Sequence, residues 1–392
     1  MGEFLNLNIL DINKSECGLY VHVPFCAQIC HYCDFAVLKA PVRVMEEWVD
    51  LLLAEMKHRV EQGKRFRTFY LGGGTPSALP LATLKRLLDG IQSWCDLSGS
   101  LENTIEVNPE NVSIDFLEFI QKMGMNRLSI GIQSFNDQTL KKIGRNHNAQ
   151  KAKEALALIG ESQIEFSLDL MFALPDQEHS DFLKELEIAL SFEPHHMSFY
   201  GLTIEDQTLF GQWDKKGVLA EPLSNYNEFY HLGVELLEKC GYHRYELSNF
   251  SRPGFESIHN RAYWNKIPYV GLGFGAHSFD GTKRLWAPKQ LHPWKKQIQN
   301  ALDFGIELDF EFEVLHDAAF WNEWIWLGLR QSQGIDLAVL YQDENHEEWC
   351  ALVSGFVQKK WAKIVNNHFI AEGEGWIFLD EMSSDFFKSE SE

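Results

Sequence analysis

No stretch of this sequence is long and apolar enough to span a bilayer. Its hydrophobic runs are short and interrupted by charge, whereas a spanning helix needs about 20 apolar residues. A secretory leader is missing too. The opening MGEFLNLNILDINKSECG has acidic residues, no basic n-region and no A-x-A-like cleavage site, so the chain is expected in the cytoplasm. Positive charge is scarce: 35 Lys and Arg stand against 56 Asp and Glu, a net charge of −21. A field of that sign repels phosphate backbones and argues against nucleic acid as a partner; solubility accounts for it more simply. Cysteine is also scarce, with seven residues unevenly spaced, which excludes a disulfide scaffold. Cys17, Cys95, Cys240 and Cys350 are isolated and read as small buried hydrophobes.

What is present is a globular share of hydrophobic residues, 45% of a 392-residue chain. That length exceeds the usual ceiling for one core and predicts a large domain with a smaller one. Up to about residue 250, strand-like and helix-like runs alternate. GLYVHV (18–23) is strand-like, residues 42–63 have helical spacing, and RTFYLGGG is the next strand. ENTIEV, NRLSIGIQS, IEFSLDLMF and HHMSFYGL continue the alternation, with Ser113 a plausible N-cap for the helix after the third strand. Such repetition predicts a parallel sheet with helices outside, an α/β partial or full β/α (TIM-like) barrel, with a doubly wound sheet as the alternative. The polar and glycine segments GGGTP, NPEN, GIQSF and LPDQ fall at strand ends, where barrel chemistry sits. The expected divisions are an N-terminal segment 1–17, the barrel 18–250, a connecting region 251–311 and a C-terminal module 312–392. That module begins with a Trp-rich helix. It ends in two strands around Gly373-Glu374-Gly375 and a frayed tail, and reads as winged-helix-like.

Residues 20–35, YVHVPFCAQICHYCDF, place Cys26, Cys30 and Cys33 in a CxxxCxxC pattern. Zinc would need a fourth ligand, with His31 or His22 nearest, and a zinc ribbon would bring a second cysteine pair. The alternative is a [4Fe–4S] cluster held by three thiolates, which leaves one iron open to a substrate or cofactor.

CxxxCxxC after a first strand, followed by GGGTP after the second, resembles the radical S-adenosylmethionine (SAM) superfamily. YVHVPFC, EVNPE (106–110), SIGIQSF (129–135), GRNH (144–147) and SLDLMFALP (167–175) resemble its branch of oxygen-independent coproporphyrinogen III oxidases and their relatives. The resemblance implies that SAM chelates the open iron. It implies that Gly72, Gly73 and Gly74, which let backbone approach a ligand, meet the SAM amino group beside Thr75. It gives Glu106 the ribose hydroxyls and places Gln133, Arg145 and Asp169 in the same pocket, with Tyr20 and Tyr32 flanking it. The plain alternatives are a tight turn for the glycines and rim salt bridges for the charges. His22 is expected to support the cluster loop by hydrogen bonds.

Two features depart from the oxidase pattern. Asp34-Phe35 stands where the oxidase carries one more cysteine, and only 19 residues precede Tyr20. Both fit the heme-chaperone side of the branch, as does HNRAYW (259–264). There His259 is a candidate imidazole for heme iron, and Tyr263 and Trp264 are candidate covers for a flat macrocycle. The plain reading is a loop-bonded histidine with two core aromatics; His277, in GFGAHSF, is a weaker candidate. The implied cofactors are a [4Fe–4S] cluster, SAM and heme. The implied partners are respiratory hemoproteins as heme acceptors, with peripheral membrane contact and a homodimer. The rival function is coproporphyrinogen III oxidation, and a zinc-stabilised barrel without SAM is a third.

Overall fold

The computed structural model describes residues 17–218 and 225–389. Apart from Cys17, the N-terminal segment expected at 1–17 lies outside the described residues. In chain order the strands are β1 (Gly18–Val23), β2 (Thr68–Gly73), β3 (Glu102–Val107), β4 (Arg127–Gln133), β5 (Glu165–Phe172), β6 (His196–Gly201), β7 (His243–Arg244), β8 (Asn249–Ser251), β9 (Tyr269–Leu272), β10 (His277–Phe279), β11 (Lys283–Trp286) and β12 (Glu311–Val314). They form one sheet in the order β12-β11-β10-β9-β1-β2-β3-β4-β5-β6-β8-β7. From β1 to β6 each strand lies parallel to the next. Between them run α1 (Val42–Arg59), α2 (Leu81–Trp94), α3 (Ile114–Lys122), α4 (Asp137–Lys142), α5 (Ala149–Ser162) and α6 (His179–Ser191). Crossovers of one hand that always step in one direction keep the helices on one face. A doubly wound sheet would need the order to reverse.

The arc does not close. β6 takes antiparallel β8 as its outer neighbour, and β9 joins β1 on the far side in parallel. The result is a partial barrel, and the sheet continues through β9–β12 beyond residue 250, where the sequence pattern faded. Strand alternation explains its two faces. Leu19, Val21, Phe69, Leu71, Ile105, Leu128, Ile130, Leu168 and Phe199 alternate onto the helix side and are fully buried. The other face carries Tyr20, His22, Tyr70, Glu106, Ser129, Asp169, Ser198 and Tyr200. An ordinary barrel fills this interior with branched aliphatics. A polar lining marks a space built around a ligand.

The short helix α7 (Leu209–Asp214) and the longer α8 (Tyr226–Lys239) precede β7, and α9 (Ile258–Trp264) and α10 (Leu291–Phe304) follow. The C-terminal module is α11 (Asp317–Leu329), β13 (Ile335–Asp336), α12 (Leu337–Gln342), α13 (His346–Gln358), β14 (Ala362–Val365), β15 (His368–Ala371) and α14 (Leu379–Asp385). Its small sheet runs β13-β15-β14, helices preceding a hairpin as expected. The Trp-rich helix starts later than its sequence suggests, because Glu311–Val314 pairs with β11 instead. The hairpin turn is Asn366-Asn367, not the expected Gly373-Glu374-Gly375. Both asparagines have positive φ, 48° and 65°, which a two-residue type I′ connection requires. Gly373–Trp376 is a 3₁₀ turn. Nor is the described part of the tail frayed: Phe386 is fully buried and its carbonyl accepts from Trp321 Nε1 at 2.9 Å. Cys17 and Cys95 are buried as expected, whereas Cys350 is half-buried and Cys240 is exposed beyond α8.

Candidate functional site

The thiol loop leaves β1 at the mouth of the barrel. Cys26 N donates to Leu38 O at 3.1 Å, which closes the loop on itself. His31 N donates to Ile143 O, and His31 Nδ1 bonds Lys142 O at 2.7 Å. Gln28 Nε2 donates to Gly144 O at 2.9 Å. The loop is therefore pinned to the GRNH segment more than 100 residues away. Gly144, at φ +78°, lies under the His31 ring, where a Cβ would come within 2.8 Å. His31 is thus a packing residue. His22 supports the loop from within: its Nε2 donates to Ala36 O at 2.9 Å, which leaves Nδ1 to accept from Tyr20 OH at 2.9 Å. A carbonyl can only accept, so this pair fixes the tautomer.

The three thiols are half-buried and unpaired. Burial raises the Cys26 thiol and pushes Cys33 up to about 12, each raised further by its cysteine neighbours. A thiol in such surroundings becomes a thiolate when metal coordinates it. Donors stand ready for sulfur. Thr75 Oγ1 lies 3.5 Å from Cys26 Sγ, and Arg145 Nη1 lies 3.6 Å from Cys30 Sγ. Asn108 ties these two together, donating to Thr75 Oγ1 at 3.2 Å and accepting from Arg145 Nη2 at 2.9 Å. Arg145 also donates to Gly131 O.

The polar wall continues inward. Glu106 accepts from Tyr70 OH at 2.8 Å and from Gly73 N at 2.9 Å, yet burial still raises its carboxyl. Asp169, beside Ser129 at 3.2 Å, is pushed up to about 7 by burial. Gln133 sits at positive φ, +68°, on a β4 irregularity and accepts from Tyr200 OH at 2.7 Å. Tyr32 and Tyr200 both pack against the buried cluster that includes Ile143, Met171 and Leu202. Two carboxyls near the thiols, with one arginine already committed, suit a cationic ligand with an amino-acid end. SAM is one. The glycines have packing reasons of their own. A Cβ at Gly72 would meet Tyr70 and Glu106, at Gly73 the His22 ring, and at Gly74 the carbonyl of Val23. Sequence reasoning passed over Asn108, Tyr70, Tyr200 and Ser129. Asn108 lies inside the quoted EVNPE, and the others stand at alternating strand positions, which was the available signal.

HNRAYW forms α9. Ser257 Oγ caps it, accepting from Asn260 N, and Glu102 accepts from Ser257 OH, Ile258 N and His259 N. His259 is 1% exposed, with Nδ1 2.8 Å from Thr68 Oγ1 and Nε2 2.8 Å from Tyr263 OH. Its ring stacks on Tyr70 at 5.0 Å, and burial lowers its pKa to about 3. Thr68 begins β2, so His259 sits at the end of the barrel remote from the thiols. Both ring nitrogens are engaged, which is the plain reading of this motif rather than that of an iron ligand. Trp264 is half-buried, and its carbonyl accepts from Gln331.

A cavity of ≈ 790 Å³ joins these parts. Asp34, Phe35 and Ala36 of the thiol loop, Tyr20, Tyr263, His277 and α11 residues all line it.

A mouth of three unpaired thiols over a polar β/α arc defines a radical SAM type of site. The family model described as the Radical SAM superfamily matches residues 20–189. Among curated proteins, "Heme chaperone HemW" of Synechocystis sp. is 34% identical over 353 residues, 87% of this chain and 85% of that protein. The protein of the same name from Escherichia coli is 40% identical over 284 residues, 70% of this chain and 74% of that one. A solved structure of E. coli coproporphyrinogen III oxidase (HemN), described as a radical SAM enzyme, superposes with TM-score 0.80 at 20% identity, covering 99% of this chain and 94% of that one. At that identity it shows the shared fold. This chain belongs to the radical SAM superfamily and, within it, to the family of the heme chaperone HemW.

Proposed function

We propose that this protein is a heme chaperone: it holds heme beside a [4Fe–4S] and SAM centre and passes it to respiratory hemoproteins. One observation carries the reading. The thiol loop, through Asp34 and Phe35, and the HNRAYW helix, through Tyr263, open onto one cavity lined by aromatic side chains with charged ones among them. A flat macrocycle seated there would lie directly against the cluster loop. The names of the relatives support the same reading.

Cys26, Cys30 and Cys33 hold the cluster in this proposal, and Tyr20, Tyr32, Gly73, Gly74, Thr75, Glu106, Gln133, Arg145 and Asp169 line the SAM pocket. When bound, cluster and SAM supply one-electron chemistry at the sulfonium. The chain's own residues do the rest. Thr75 and Arg145 set donors against the sulfurs of Cys26 and Cys30, while Glu106 and Asp169 face the cationic ligand. Tyr263 serves heme as a wall residue with His259 as its support, whereas Trp264 lies outside the cavity lining. Among the described residues no helix is long and apolar enough to cross a membrane. We place the protein in the cytoplasm, with peripheral approach to membrane-bound acceptors and association as a homodimer.

The test is anaerobic reconstitution followed by heme titration. A saturable Soret band near one heme per chain is expected, with no protoporphyrinogen formed from coproporphyrinogen III, SAM and reductant. Robust turnover, or no saturable heme binding, would overturn the reading.

A further inference from the structure

We infer that His277, not His259, ligates heme iron in this cavity, and that Lys289 pairs with a heme propionate. The inference rests on the heme reading above and names the groups that would carry it.

An imidazole that ligates heme iron must be reachable and must offer a free nitrogen lone pair. Two histidines line the cavity, His22 and His277. His22 uses both ring nitrogens on Tyr20 and Ala36. His259 lies close by but is buried, with both nitrogens engaged by Thr68 and Tyr263. His277 differs in each respect. It is exposed at the start of β10, and among the described residues neither ring nitrogen takes a hydrogen-bond partner; its neighbours are the charges of Arg284, Lys289 and Glu313. Trp286, directly opposite on β11, stacks on the imidazole at 5.9 Å with 27° between planes. That cross-strand contact orients the ring without consuming a nitrogen.

The charges around it sort themselves. Arg284 is committed to Glu313 and Glu323, and Lys266 to Glu323 at 2.7 Å. Lys289 is exposed and makes no ion pair among the described residues. The chain pairing Ala287 N to Ala276 O and Gly275 N to Pro288 O brings its backbone beside Gly275, two residues from His277. An anionic carboxylate approaching His277 therefore finds one uncommitted cation. Phe35 supplies the apolar cover: its side chain is 62% exposed and lines the same cavity. An exposed phenylalanine contributes little to a core and gains by covering a ligand. The cavity volume, ≈ 790 Å³, lies in the range of sites that bury a ligand of this class.

The link to the thiols is short. Ala36 sits with its Cβ where a side chain at Gly275 would come within 2.6 Å, and its carbonyl holds His22. Movement of the cluster loop would thus be felt at the turn that carries His277.

The experiment titrates ferric heme into the anaerobically reconstituted full chain and reads absorbance, electron paramagnetic resonance and affinity. His277→Ala should lose the imidazole-ligated signature, bind about tenfold more weakly or worse, and regain the signature with added imidazole. His277→Met should move the spectrum to a thioether-type ligand set. Lys289→Glu should weaken binding by about threefold to tenfold with unchanged band positions. His259→Gln, which loses a support of Tyr263, should keep the imidazole-ligated band positions even where affinity falls. Circular dichroism confirms that each variant is folded. If wild type binds no heme, the functional reading fails and this inference with it. If wild type binds and His277→Ala keeps its spectrum and affinity, this inference alone is overturned, as it is if His259→Gln removes the signature.

Discussion

His259 offers a prediction that can be worked from its surroundings. The ring is buried between Thr68 and Tyr263, with 2.8 Å bonds at both nitrogens. Protonating it would put a second donor against one of these hydroxyls and a charge into an apolar site, so its pKa falls to about 3. An unfolded histidine binds its proton near 6.5. Between those values the unfolded chain holds one proton more than the folded chain. The stability contributed by neutral His259 is therefore complete above about pH 6.5 and drains away as pH falls towards 3. The slope is about 1.4 kcal/mol per pH unit, or about 2 kcal/mol between pH 6.5 and 5. Asp169 and Glu246, each pushed up to about 7 by burial, act oppositely: they lose stability as pH rises. The comparison must therefore be differential. His259→Gln keeps a polar side chain but does not titrate, and the carboxyl contributions cancel between it and wild type to the extent that the sites are independent. Urea unfolding of both proteins at about pH 7 and about pH 5 should show the variant about 1–3 kcal/mol less stable at the higher pH. The gap should shrink by about 2 kcal/mol at the lower pH. Equal pH slopes would refute the argument and return His259 to the candidates for metal or proton chemistry.

Arg145→Met removes the guanidinium from Cys30 and strands the Gly131 carbonyl and Asn108; iron and sulfide retention should fall roughly tenfold, the usual cost of losing a ligand's supporting partner, with Arg145→Lys recovering part of it. Retention equal to wild type would remove Arg145 from the support of the cluster. Gly73→Ala should cost about 1–3 kcal/mol in thermal or urea unfolding, since its Cβ would come within 2.4 Å of the His22 ring at φ +110°. An unchanged midpoint would mean that His22 is not fixed by its bonds to Tyr20 and Ala36.

The extent to which each feature could be read from the chain follows the range of the interactions that make it. Cys26, Cys30 and Cys33 lie on one short loop, so their spacing alone points to a metal or cluster site, and the GGGTP after the second strand adds the resemblance that favours a cluster. The β/α alternation of residues 18–201 is equally local, being set by side-chain periods of 2 and 3.6. Even the hairpin turn at Asn366-Asn367 is locally encoded, since asparagine tolerates the positive φ that the turn requires. The continuation of the sheet beyond β1 is not. β9 pairs with β1 across some 250 residues of sequence, and no periodicity reports such a contact.

The same limit governs the histidines. His259 stands in the more suggestive motif, and His277 in a plain glycine-rich strand. What separates them is a Thr68 hydroxyl 191 residues from His259, the Tyr263 hydroxyl one helical turn on, and the cross-strand Trp286 beside His277. By itself the sequence determined the superfamily, the CxxxCxxC candidate ligands and the departure at Asp34-Phe35, because each is written in contiguous residues. Only the tertiary structure decided which imidazole is buried and bonded and which is open to a cavity, because burial and hydrogen-bond satisfaction are properties of neighbours that the chain brings together only on folding.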